Sequence, residues 1–430
     1  MMNDDLPTYL EATCAKPPSY VDAVQALSCG GEVVYPVDFY ERELTLSDLI
    51  SKANDWLRTG DKQQIDIVSV EIVDIKLREP MDSQRLTYSF STESNNCFLR
   101  ALRLWLKPSA VALNRPPRIG HVIFEPDMNR NDTIATLTEQ LTTQQGSSTI
   151  PGRIISIRTV KHKLKYSLFD TDIPERTSYT IKSESDTRFY FALHVFYMED
   201  ISPVRGIVDK RDFVANEIDI SSNVRKPYSS LFALSSDWIE SNITHNSRTQ
   251  FINLESVYVK LKSGDVPSTD RAVYMLHHNK QTYFTLAIRV WFFRSIQTDF
   301  KSCVPSLPSA LTKPITLKTF VPRRLEAGVD DPHDYEGIRS VKKKMAYWFG
   351  HTNAQVIGAE TCVVRMYSGG AQKYERAEAT TTHSRAEGKE HFMYIFRFHV
   401  NGSYSEPIDS HPELSGEHMI DNYDKNCVIL

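Results

Sequence analysis

Four times along this chain an alternating apolar and polar run leads, through a polar loop, to a second run packed with aromatic and β-branched residues. The first copy occupies 65–77 and 98–106. The second runs from 154–157 through 164–166 to 189–197, the third occupies 251–262, 272–276 and 283–293, and the fourth 356–367 and 392–400. Period-two alternation sets one face of each strand against a core and the other against water, so each copy reads as β-β-β. Helical patterns precede the copies at 45–57, 229–243 and 337–349, with a weaker one at 131–143. Asp55-Trp56 and Asp237-Trp238 stand at matching places before copies one and three, which marks a duplication and makes both tryptophans core anchors.

The fold class that follows is α+β and β-rich, with tandem α-β-β-β units forming antiparallel sheets that carry helices on one face. The units pair into two larger domains. A mobile arm is expected at 1–34 and a first domain at 35–200, with units 35–106 and 125–200. A linker at 201–226 leads to a second domain at 227–402, with units 227–296 and 335–402, and a flexible tail fills 403–430. Tyr35-Pro36-Val37-Asp38-Phe39 reads as the entry to a first strand. Polar, proline-bearing joins separate the units at 107–120, 199–226 and 303–332.

At 41% hydrophobic and 24% charged residues the composition is that of a folding globular chain, so the absence of catalytic signatures is informative. There is no nucleophile elbow, phosphate-binding glycine loop, dinucleotide fingerprint or H-E-x-x-H. The six cysteines form no C-x-x-C pair, and His277-His278 are adjacent residues of a loop, not spaced as ligands. The expectation is a non-enzyme without cofactor or metal. No apolar run is long enough to span a bilayer and the acidic start is no signal peptide, which places the chain on the cytosolic side of membranes.

Net charge of −4 disfavours non-specific nucleic-acid binding by the whole molecule, so local basic clusters matter more. Lys161, Lys163 and Lys165 alternate along one strand, as do Lys260 and Lys262, and Lys342-Lys343-Lys344 follow in a helix. These are candidates for a membrane-facing surface, each contributing about 1 kcal/mol near an anionic leaflet. RNA binding is the competing use.

Both tails carry short motifs. Cys427-Val428-Ile429-Leu430 reads as a C-a-a-X box, with Cys427 the lipidation site and a prenyltransferase the implied partner. Pro17-Pro18-Ser19-Tyr20 is a P-P-x-Y motif in an accessible segment, able to lie as a polyproline helix in the groove of a WW domain. Leu6-Pro7-Thr8-Tyr9 is a less complete copy, in which Pro7 and Tyr9 would take the same part.

A proline–tyrosine arm, a duplicated β-rich body and a lipid-modified end resemble the viral matrix proteins, the filovirus and paramyxovirus families among them, at the level of motifs and organisation. The resemblance implies recruitment of WW-domain ubiquitin ligases, self-assembly into homo-oligomers under the inner leaflet, budding of virions, and contact with a nucleoprotein. The C-a-a-X ending and a count of four units depart from those families. A cellular adaptor, arrestin-like in logic and linking such a ligase to membrane cargo, shares the same motifs.

Overall fold

The computed structural model describes residues 34–407 apart from short intervals, the longest at 78–84, 165–174, 296–310, 326–334 and 369–376. Unit 1 runs β1 (Tyr35–Phe39), α1 (Leu46–Arg58), β2 (Ile65–Lys76), β3 (Thr87–Ser91) and β4 (Asn96–Pro108). Unit 2 runs β5 (Ile119–Phe124), α2 (Ile134–Gly146), β6 (Arg153–Leu164), β7 (Ser178–Ile181) and β8 (Thr187–Met198). Unit 3 opens with β9 (Gly206–Val214) and a small hairpin, β10 (Ile218–Asp219) and β11 (Val224–Arg225). It continues with α3 (Tyr228–Ile239), extended by a π-helical turn over Glu240–Thr244, then β12 (Thr249–Lys260), β13 (Val273–Leu276) and β14 (Thr282–Ser295). Unit 4 runs β15 (Ile315–Phe320), α4 (Ile338–Thr352), β16 (Val356–Ser368), β17 (Thr381–Ser384) and β18 (Lys389–Asn401).

The class is α+β and β-rich, with four antiparallel sheets of four strands. The unit itself is β-α-β-β-β, one strand longer than the pattern suggests. β5 begins ahead of the boundary drawn at 125, β9 lies inside the segment read as a linker at 201–226, and β15 lies inside the join at 303–332. β9 escapes a pattern search because Asp209, Lys210, Arg211 and Asp212 interrupt its alternation. Those charges are tolerated because β9 is an edge strand whose Asp212 lies opposite Arg289 of β14.

In every sheet the unit's last strand is central and long. β4 pairs along its length with β2 on one side, while β1 covers only Leu102–Leu106 on the other. The uncovered stretch Asn96–Leu99 is filled by β7, which belongs to unit 2. The same exchange recurs at each sheet: β13 of unit 3 pairs with β8, β17 of unit 4 with β14, and β3 of unit 1 with β18. Each unit thus donates its third strand to the sheet of the unit before it, and unit 1 donates to unit 4, so the exchange closes on itself. A division into two domains at 201–226 is therefore not found, because β13 ties unit 3 to unit 2 across that interval.

A bulge sits at the same register of all four second strands, opposite Trp105, Phe196, Trp291 and His399. Such an extra residue sharpens local twist. The second strands contact one another in a cycle, β2 with β6, β6 with β12, β12 with β16 and β16 with β2. They form the inner wall around a pseudo-fourfold axis.

Helices cover the outer faces. In α1 the apolar residues Leu46, Leu49, Ile50, Ala53 and Leu57 form one stripe buried against Leu102, Leu104 and Leu106 of β4. Thr45 caps it: Asp48 N–H donates to Thr45 Oγ1 (3.2 Å), and the Asp48 carboxylate accepts from Thr45 N–H (2.8 Å). In α3 Tyr228, Leu231, Phe232 and Ile239 pack on Leu286, Ile288 and Val290. Trp56 meets Phe39 edge-on at 6.0 Å and Trp238 meets Phe213 at 6.0 Å, the same contact in units 1 and 3. The inner faces merge into one core containing Trp105, Phe189, Trp291 and Phe396 from four different units.

Candidate functional site

At one register of each unit the second and last strands set charged or titratable residues opposite each other on the inner face: Glu71 and Arg103, Arg158 and His194, Glu255 and Arg289, Glu360 and Arg397. All eight are buried. An unpaired ion there would cost several kcal/mol, so the partners decide whether the arrangement holds. Glu71 accepts from Trp105 Nε1 (2.8 Å) and from Thr361 N–H (2.9 Å) and Oγ1 (2.5 Å) of unit 4. Arg103 makes a fork on Asp38 (2.6 and 2.8 Å) and donates Nη1 to Thr361 Oγ1 (2.7 Å).

The set repeats in unit 3. Glu255 accepts from Trp291 Nε1 (2.9 Å) and from Thr159 N–H (2.8 Å) and Oγ1 (2.6 Å) of unit 2. Arg289 forks on Asp212 (2.7 and 3.1 Å) and reaches Thr159 Oγ1 (2.7 Å). In unit 4, Glu360 accepts from Ser256 N–H and Oγ of unit 3, both at 2.7 Å, and Arg397 donates to Ser256 Oγ (3.0 Å) with its guanidinium 3.4 Å over the Tyr228 ring.

The fourth junction is built differently. Arg158 stands where the other units have Glu, and Ile72 where they have Thr or Ser. Arg158 Nη2 donates to Ser69 Oγ of unit 1 (2.6 Å) and to the Ala359 carbonyl of unit 4 (2.8 Å). Acceptor and donor have changed together, and the ring closes.

Burial alone would push the carboxyls of Asp38 and Asp212 up, but Arg103 and Arg289 respectively hold each below the usual carboxylate range. Glu360 is also lowered: burial works against it and is outweighed by His399, Arg397 and Arg158. Unit 2 has His194 in place of the arginine. Its Nδ1 lies 3.0 Å from His121 Nε2 and its Nε2 lies 2.8 Å from His162 Nε2. Burial drives all three histidines down, His121 to about 3.

Beside this ring the axis opens into a cavity of about 360 Å³ lined by all four units. The exchanged strands set Tyr88, Tyr179, Tyr274 and Thr382 opposite Phe392, Phe98, Phe189 and Phe284. Three of these pairs are stacked, at 5.2, 5.3 and 5.5 Å between ring centres. Asp74, Lys161, Arg365 and Glu390 are the charged residues of the cavity wall outside the ring. Tyr179 OH donates to Asp74 Oδ2 (2.6 Å), and Arg365 lies 3.5 Å from Glu390.

Comparison with protein-family models, with curated protein sequences and with solved structures finds no match. Function must therefore be argued from these residues.

The described residues among the basic ones expected on a membrane-facing surface do not share one. Lys161 lines the cavity. Lys163 Nζ donates to the Thr180 carbonyl (2.6 Å) and Lys260 Nζ to the Met275 carbonyl (2.7 Å), so both tie strands together. In α4 the buried stripe Val341, Lys344, Met345 and Trp348 carries Lys344 inward, where it pairs with Glu336. Lys342 donates to the Pro36 carbonyl (3.1 Å), and only Lys343 of the three points out. Consecutive helical residues are about 100° apart, so a run of three cannot form one face. Lys165, Lys262, Cys427, Pro17, Pro18, Tyr20, Pro7 and Tyr9 lie outside the described residues. His277 pairs with Asp186 (2.8 Å), and His399 is buried beside Glu360 (3.8 Å).

The axial ring was not anticipated. Its signal is nonetheless present: Arg103, Arg289 and Arg397 each stand within a run of apolar residues, and each has a glutamate opposite it on the facing strand.

Proposed function

We propose that the chain is a peripheral membrane assembly protein of the matrix type, whose strand-exchanged body carries a lipid-bearing tail and a ligase-recruiting arm. The observation that carries this reading is where the two ends of the body lie. Lys342 of α4 donates to the Pro36 carbonyl, and Trp348 Nε1 of the same helix donates to Glu406 Oε2 (2.9 Å), with Tyr404 edge-on to Trp348 at 4.8 Å. Six helical residues correspond to about 9 Å. The described residues nearest in sequence to Pro17-Pro18-Ser19-Tyr20 and to Cys427-Val428-Ile429-Leu430 thus lie in one neighbourhood. A lipid on Cys427 would hold that side at the bilayer, and with it the arm whose ligase partner acts there.

Among the described residues no helix is long and apolar enough to cross a membrane. Attachment through one prenyl chain is weak and reversible, so firm association calls for many copies acting together, which is what assembly supplies. In cells, Cys427→Ser should move the protein from the membrane fraction to the soluble one. Tyr20→Ala should leave it on membranes and reduce release of particles by cells expressing this protein alone. Unchanged membrane association of Cys427→Ser contradicts the lipid anchor. Absence of any released particles with the wild-type chain favours the adaptor reading instead.

A further inference from the structure

We propose that the axial cavity binds a small planar aromatic anion, its ring held by the tyrosine–phenylalanine belt and its charge by Lys161. The frame around the cavity repeats, but its lining does not. Three residues after the ring position the four second strands carry Asp74, Lys161, Tyr258 and Val363, and all four line the cavity. The facing Glu–Arg pair that builds the ring recurs in three of the four units, while these four residues all differ. A lining with one direction inside a symmetric frame suits a guest with one charged end.

Lys161 is the group left to be answered. Two residues further along the strands, Lys76, Lys163 and Lys260 share a register of their own, and all three donate to oxygen within the fold. Among the described residues the Lys161 ammonium has no hydrogen-bond acceptor; it lies 5.1 Å over the Phe189 ring. Asp74 Oδ2 accepts from Tyr179, and Asp74 Oδ1 faces Arg100 Nε at 3.7 Å without a hydrogen bond among the described residues. Burial lowers the Lys161 pKa by more than the charge of Asp74 raises it, with Arg100 adding to the lowering. An anionic guest supplies the missing acceptor.

The belt also has one opening. Thr382 stands where the other units have tyrosine, so no ring from the exchanged strand stacks on Phe284, which Tyr274 meets edge-on at 5.8 Å, and among the described residues the buried Thr382 Oγ1 has no hydrogen-bond partner. That sector gives room for a ring and a hydroxyl to meet it. The volume lies within the range of small-molecule sites, roughly 300 to 1,000 Å³.

The test is a fluorescence titration of the full chain with 8-anilinonaphthalene-1-sulfonate and, in parallel, with N-phenyl-1-naphthylamine, the same rings without the anion. Saturable binding of the sulfonate at one site per chain is expected. Lys161→Met should weaken the sulfonate by about tenfold, the effect of losing one charge-assisted hydrogen bond, while Lys161→Arg retains it. Binding of the uncharged probe should be unchanged by either. Thr382→Tyr, which fills the open sector, should weaken both probes and serves as an independent variant if Lys161→Met does not fold. No saturable sulfonate binding, equal sulfonate affinity in a folded Lys161→Met, or unaltered binding to Thr382→Tyr would each overturn the proposal.

Discussion

A carboxylate placed at the centre of a β-rich core survives only if every lone pair is answered, and in this molecule the answer comes from a neighbouring unit. Glu255 takes the N–H and hydroxyl of Thr159 and the indole of Trp291, while Arg289 reaches the same hydroxyl. Removing one member strands the others, so the energetics are those of a network. In a double-mutant cycle, Glu255→Gln and Thr159→Val should couple by about 0.5–3 kcal/mol in urea unfolding, the range for residues of one hydrogen-bond network. Additive effects would show that the ring does not act as a unit. The histidines give a second expectation. Their folded-state pKa values lie below the unfolded value of about 6.5, so the unfolded chain binds more protons and stability rises with pH. The contribution of His121, His162 and His194 is therefore complete above about pH 6.5 and declines as pH falls toward the folded-state values, about 3 for His121. His399, pushed down to about 4 chiefly by burial, acts in the same direction. Melting temperature should fall steadily from pH 7 to pH 5, and His121→Phe should make that dependence shallower. An unchanged slope in that variant would mean His121 is not held neutral. At this scale the sequence was only half legible: Arg103, Arg289 and Arg397 stand out inside apolar strands, but that each would serve a hydroxyl of another unit is a property of the packing.

Among elements, the short exchanged strands matter most and were the hardest to read. β7, β13 and β17 have four residues each, too few to show a period; only the third copy's 272–276, now β13, was picked out, and that its partner lies in another unit was not. The long strands and the helices were legible because twelve or more residues display alternation or an apolar stripe, as β2 and α1 do. β9 was missed for the opposite reason, since its central charges mask a strand that an edge position allows. Tyr274 shows what one exchanged strand contributes. It stacks on Phe189 at 5.5 Å and meets Phe191 at 5.3 Å and Phe284 at 5.8 Å, joining units 2 and 3. Tyr274→Ala should cost about 3–5 kcal/mol, the usual range for removing a buried aromatic ring. The same change should speed hydrogen exchange at Thr187–Tyr190 of β8, the stretch that β13 covers. Exchange there at the wild-type rate would contradict the pairing.

On the scale of the whole molecule, four copies of one unit are held in a ring by strands that none of them keeps. The repetition was visible in the sequence, yet its closure was not, because pairing of β3 with β18 links residues some three hundred positions apart. Adjacency along the chain suggested two paired domains, whereas the exchange makes every junction equivalent in kind. Each half of the chain then has one incomplete sheet and one donor strand without its host: residues 34–200 keep β8 without β13 and β3 without β18, and residues 206–407 keep β18 without β3 and β13 without β8. Thermal unfolding of the two halves, separately and mixed in equal amounts, followed by circular dichroism, tests ring closure most directly. The account predicts that neither half melts cooperatively alone and that the mixture recovers the single sharp transition of the intact chain. A sharp, independent transition from residues 34–200 alone would contradict it.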